Sequence, residues 1–173
     1  MKKILCLVLC LLMLCSVTAC TIEDSPTKET NQTQQPQPTE KPEETFGLNQ
    51  TAVFKTLKFT ATELTESNGQ DFFIPETGKV FIGVKFTIEN ISNEEQTVSS
   101  LLLFDAYVDD VKCSYSFNAA CAFSDGTLDG TIAPGKKLIG WYAVEVPSNW
   151  VSLELNVQAD WLSSSSAKFV FKK

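Results

Sequence analysis

Nothing constrains the fold of this chain more than one stretch of strict alternation. Val80, Ile82, Val84, Phe86 and Ile88 alternate with Phe81, Gly83, Lys85, Thr87 and Glu89. Successive side chains of a strand point to opposite faces, so a period of two held this long describes a strand with one face on a core and excludes a helix. Asn90-Ile91-Ser92-Asn93 follows as a cluster of turn formers that closes it.

The same period recurs downstream. Leu102, Phe104, Ala106 and Val108 alternate, Asp109-Asp110 interrupts, and the pattern resumes at Val111, Cys113, Tyr115 and Phe117. Two alternating runs joined by two turn residues predict a hairpin, although Asp-Asp suits a primed turn less well than Asn-Gly. Leu138, Gly140, Tyr142, Val144 and Val146 follow the Pro134-Gly135 turn, and Val151, Leu153, Leu155 and Val157 form a further half-buried strand. Phe169 to Phe171 completes the set, with at least one strand within Val53 to Leu64. About seven short strands, turns between them and no convincing amphipathic helix predict an all-β chain, an immunoglobulin-like β-sandwich over residues 46–173.

Composition excludes several chemistries. The 14 basic residues are all lysine, and histidine is absent. Without histidine the chain lacks the commonest general base and metal ligand, and without arginine it lacks the bidentate fork for phosphate or carboxylate. The formal net charge of -7 makes nucleic acid an unsuitable partner. No cofactor and no metal are expected.

The amino-terminal segment has a different logic. Lys2 and Lys3 precede an apolar run from Ile4 to Leu14, too short for a bilayer that needs about 20 residues. Such a segment reads as a signal peptide over residues 1–19. Val17-Thr18-Ala19-Cys20 resembles the bacterial lipobox. That resemblance implies cleavage before Cys20 and lipidation of its sulfur, which would hold the chain on the extracytoplasmic face of a cell membrane. Cys6, Cys10 and Cys15 would leave with the signal. Residues 20–45 hold Pro26, Pro36, Pro38 and Pro42 among Thr, Gln and Glu, too polar to form a core, and are expected to act as a disordered tether of roughly 28 Å. Asn31 and Asn49 match glycosylation sequons, read here as polar spacer.

Gly78 to Asn90, with the sequence GKVFIGVKFTIEN, resembles the signature strand of the telokin-like domain of unknown function 4352, found in lipoproteins of Firmicutes. Gly130 to Lys137 followed by Gly140 to Pro147 resembles the second signature of that family. The resemblance spans about Phe46 to Lys173. It implies an immunoglobulin-like sandwich outside the membrane and no catalytic residues to transfer; Cys113 with Cys121 is a departure from it.

The candidate sites are few. Cys113 and Cys121 are the cysteines that outlast lipidation, and they either form a disulfide closing a short loop or remain separate thiols. Asp105, Asp109, Asp110, Asp125 and Asp129 suggest calcium, but their spacing lacks the pattern of an EF-hand loop and fits solvated turns better. Trp141, Trp150 and Trp161 offer either an aromatic ligand platform or core packing. Ser163 to Ser166 and Lys168 read as a loop and a strand start, since no base is at hand to activate a hydroxyl. The chain is therefore expected to be a non-enzymatic binding or protein-interaction module at the cell surface, with an envelope or surface protein as partner. The alternatives are a small-ligand-binding accessory of a transporter and a carboxylate-based hydrolase of envelope glycans.

Overall fold

A computed structural model of the protein describes residues 44–123, 126–162 and 165–173. The expected signal segment, Cys20 and nearly all of the tether lie outside the described residues. The long alternating strand is β4, Lys79–Asn90, and it sits between β3, Leu57–Ser67, and β9, Lys137–Pro147. With β2, Thr51–Val53, on the outer side of β3, these form a four-stranded antiparallel sheet. Facing it is a five-stranded sheet built from β1, Thr45–Phe46; β11, Ser166–Lys172; β10, Ser152–Gln158; β6, Phe104–Val108; and β7, Val111–Cys113, in that spatial order. β5, Gln96–Val98, and β8, Gly130–Ile132, form a separate two-stranded ribbon that adds Val98 and Ile132 to the core. The expected β-sandwich is the observed fold.

The core lies between the two sheets, where aliphatic side chains surround a connected group of aromatic rings. Phe86 meets Phe104 at 5.5 Å and Phe169 at 5.2 Å, Phe59 meets Phe104 at 6.0 Å, and Tyr142 stacks on Phe104 at 4.9 Å. Burying each such ring is worth about 1.5–3 kcal/mol against exposure, and ring pairs of this geometry add about 0.5–1.5 kcal/mol. These rings alternate along their strands with outward residues, so the period of two in the sequence positions them.

The Asp109-Asp110 hairpin forms as expected between β6 and β7. Both turn residues take positive φ, 48° and 66°, the backbone that a primed two-residue turn demands. Asp109 serves a second purpose, because its Oδ1 accepts hydrogen bonds from Val151 N at 3.0 Å and Ser152 N at 2.8 Å and so ties the turn to β10.

Four details of the expected pattern are corrected. Leu102 is not in a strand: a turn at Ser99 to Leu103 precedes β6 and leaves Leu102 exposed. Val151 is exposed and β10 begins one residue later. Phe117 begins a short helix, α1, Phe117–Cys121, because Ser116 caps it by accepting from Ala119 N at 3.1 Å. Asn90 is more than a turn former. It is fully buried, its Nδ2 donates to Glu94 O and Ile132 O, and its Oδ1 accepts from Ser92, so one amide joins the end of β4 to β8.

Candidate cleft between the sheet edges

β7 is one edge of the five-stranded sheet and β9 one edge of the four-stranded sheet, and the chain between β7 and β8 straps them together. Tyr115 bridges antiparallel to Val144, and Ser116 N donates to Ala143 O at 2.9 Å. α1 then packs Ala119 and Ala120 against Phe81 and Ala143 on the outer face of the four-stranded sheet. Phe123 stacks on Trp141 at 4.8 Å, and the strap meets β9 again through Trp141 N and Gly126 O at 3.0 Å. Two glycines make this approach feasible. A Cβ on Gly83 would lie 2.8 Å from the Phe123 ring, and one on Gly140 would lie 2.5 Å from Thr127 O.

Where Tyr115 leaves β7 for β9, a cleft of about 250 Å³ opens at the side of the sandwich. Its walls include Leu101, Asp105, Lys112, Cys113, Tyr115 and Tyr142. The two tyrosine rings lie 5.5 Å apart, and an ion pair, Lys112 Nζ to Asp105 Oδ1 at 2.6 Å, spans the cleft wall. Burial is the main influence on the ionisable groups here. It pushes the Cys113 thiol up to about 11, and it raises the Tyr142 phenol well above its ordinary value. The Tyr115 phenol is raised first by burial and then by the negative charge of nearby Asp129.

Among the described residues the Tyr115 hydroxyl has no hydrogen-bond partner although the atom is buried. Ser100, which lines the same cleft, acts on that hydroxyl as a hydrogen-bond neighbour without meeting it in good geometry, and its own Oγ donates to Asp129 Oδ2 at 3.0 Å. A buried hydroxyl left unpaired costs free energy that a bound acceptor would recover. The cleft thus offers ring faces, one unspent hydrogen-bond group and an ion pair. The half-buried Cys113 thiol stays neutral and is a poor nucleophile, and the nearby carboxylates are engaged, Asp105 with Lys112 and Asp129 with Ser100.

The residues singled out from sequence are not brought together. Trp141 is 4% exposed and Trp150 2%, so the aromatic platform does not form. Trp141 is sealed by the strap and by Lys85, whose Nζ lies 5.4 Å from the ring, and Trp150 donates its Nε1 to Glu66 Oε1 at 2.7 Å. Trp161 is 65% exposed and stands apart. Cys113 and Cys121 are free thiols. Cys113 packs on the core between the sheets, whereas Cys121 ends α1, whose alanines pack on the opposite face of the four-stranded sheet. The aspartates are dispersed as well: Asp105 pairs with Lys112, Asp109 caps β10, and Asp129 accepts from Ser100 N and Oγ. Asp125 and residues 163–164 lie outside the described residues, and among those described no three of Cys, Asp or Glu gather to hold a metal. Sequence reading missed Tyr115 and Tyr142 as site residues. Both fall on alternating core faces in the sequence pattern, and nothing along the chain marks where Tyr115 crosses between the sheets.

Residues 46–168 match the family described as a domain of unknown function, DUF4352. The chain belongs to the DUF4352 family. Among curated proteins none matches it. Several solved structures share its fold. An uncharacterised β-sandwich protein of Clostridium difficile is 18% identical with a TM-score of 0.55, covering 80% of this chain and 100% of that one. A candidate lipoprotein of Bacillus subtilis, ycdA, is 16% identical with a TM-score of 0.59, covering 70% of this chain and 38% of that one. The secreted protein MPT63 of Mycobacterium tuberculosis is 15% identical with a TM-score of 0.52, covering 76% and 98%. At these identities the DUF4352 chain shares a fold with its neighbours, and function must be argued from its own side chains.

Proposed function

We propose that this DUF4352 protein is a non-catalytic binding module, held on the extracytoplasmic face of the cell membrane through a lipid on Cys20. The observation that carries the binding role is the buried, unpartnered Tyr115 hydroxyl in an open cleft. The location is supported by the lipobox-like Val17-Thr18-Ala19-Cys20 and by two fold neighbours, one described as a candidate lipoprotein and one as a secreted protein. The cleft accepts a small group bearing a hydrogen-bond acceptor, presented by an envelope or surface protein. The same cleft, concave and aromatic-lined, favours a second reading in which a free small molecule occupies it on behalf of a transporter.

Tyr115→Phe separates binding from folding. Removing a hydroxyl that lacks a well-formed hydrogen bond costs the free chain little stability, while a ligand that pairs with that hydroxyl loses about two- to tenfold in affinity. The check is crosslinking on intact cells, with partners identified by mass spectrometry for wild type, Tyr115→Phe and a chain lacking residues 46–173. A partner recovered with wild type and depleted with Tyr115→Phe supports the cleft. Equal recovery with both domain-bearing chains sinks it. Recovery with neither moves the weight to a small molecule, tested by a ligand screen on the same pair. Release of a Cys20→Ala chain into the medium reads the anchor alone.

A further inference from the structure

We infer that one end of the sandwich rests on the lipid surface, inserting Leu101, Leu102, Trp161 and Leu162 into the membrane interface. These side chains are 72%, 63%, 65% and 73% exposed. They sit on two loops that leave neighbouring strands at the same end of the sheet. β6 begins opposite the end of β10, with Phe104 paired to Val157, and Gln158 N donates to Leu103 O at 2.9 Å. Asp160 Oδ1 accepts from Leu162 N at 3.0 Å and so fixes the turn that carries Trp161 and Leu162.

The partner is identified by where the chain arrives. β1 runs parallel to β11 with Thr45 beside Lys168, close to the start of β11. The tether therefore joins the domain at the end that carries these two loops. A lipid on Cys20 would keep that end within reach of the bilayer, where Trp and Leu partition favourably. For location the inference rests on the anchor proposed above. The contact is apolar, as a chain of formal charge -7 requires, so it should withstand added salt. Phe72 and Ile74, 97% and 67% exposed, lie on the β3–β4 connection at the opposite end and provide an internal control.

Tryptophan emission tests this directly, since Trp141 and Trp150 are buried and Trp161 is not. The chain from residue 20, carrying an amino-terminal hexahistidine, is held on phosphatidylcholine vesicles containing a nickel-chelating lipid. This placement does not depend on whether cells lipidate Cys20. The expected result is loss of emission when the phosphatidylcholine is brominated in its acyl chains, with protection from aqueous iodide. Both effects should vanish in Trp161→Phe, weaken in the Leu102→Ser, Leu162→Ser double variant, and persist in Phe72→Ser. Iodide quenching equal to that of the free chain, with brominated lipid silent, would overturn the inference. So would iodide protection without bromine quenching, which would mean that a second copy covers the patch. Retention of wild type and release of Cys20→Ala in cells, beside a silent brominated lipid, would leave the anchor standing and remove the docking.

Discussion

The two sheets solve the same problem differently on their outer faces. On the four-stranded sheet Phe81 and Ala143 are fully buried and Trp141 nearly so, because α1 and Phe123 lie over them. On the five-stranded sheet the outward positions of β10 and β11 are polar except for Val170: Lys168 Nζ meets Glu154 Oε1 at 3.5 Å and Asn156 Nδ2 donates to the same oxygen at 2.9 Å. Both sheets alternate with a period of two. The period says which residues share a face, while the chemistry of the second face decides whether water or protein covers it.

The sharpest way to break this contrast is Phe81→Ala. It empties a fully buried site under the strap and should cost about 3–5 kcal/mol, read as a fall in the midpoint of urea unfolding with the slope unchanged. A cost under about 1 kcal/mol would mean that the strap does not hold in solution. Gly140→Ala should cost about 1–3 kcal/mol, since its new Cβ meets the carbonyl of Thr127, which is backbone and yields little. Amide exchange in residues 115–127 should rise in that variant.

Asp109→Asn probes the other sheet and carries a pH signature. Hydrogen bonds, chiefly from Ser152 N, hold the Asp109 carboxyl below its ordinary value. A lowered folded value stabilises above the unfolded value of about 3.9 and is lost as pH falls through the folded one. The stability gap between wild type and Asp109→Asn should therefore be widest at neutral pH and shrink on acidification below about 4. Denaturant midpoints across that range provide the check, and a gap independent of pH would count against the carboxylate. The smallest effect belongs to Glu154→Gln, which removes a surface ion pair and should change stability by about 0–1 kcal/mol. A larger loss would make the outer face of the five-stranded sheet more than a solvated surface.

Much of the sandwich was legible because its core strands alternate cleanly: β4, β9 and β10 each follow the expected period. The strap was not. α1 spans five residues, too few for a helical period to emerge, and its buried residues are alanines rather than an apolar stripe. A trace of it was present all the same. Phe81, Gly83, Trp141 and Ala143 occupy the positions that a one-sided strand would give to polar residues, and β4–β9 pairing sets Gly83 against Ala143 and Lys85 against Trp141. Four non-polar residues gathered on a nominally wet face point to a cover, but only once the register is known. The cleft was hidden for the same reason, since it depends on Tyr115 crossing to Val144, a long-range pairing that leaves no local mark.

The parallel pairing of β1 with β11 has a mechanical consequence. For a domain held by its amino-terminal side, drag on the domain is transmitted through Thr45 and Phe46, and the part of the pull that runs along β1 loads its pairing with β11 in shear. Hydrogen bonds loaded along the strand axis share the force and yield together, where a strand peeled from its end would give them up one at a time. Phe46, in contact with Phe169 at 5.3 Å, adds a ring that must slide past its neighbour before the strand can leave. Two residues of strand thus act as a shear joint between the domain and whatever restrains it.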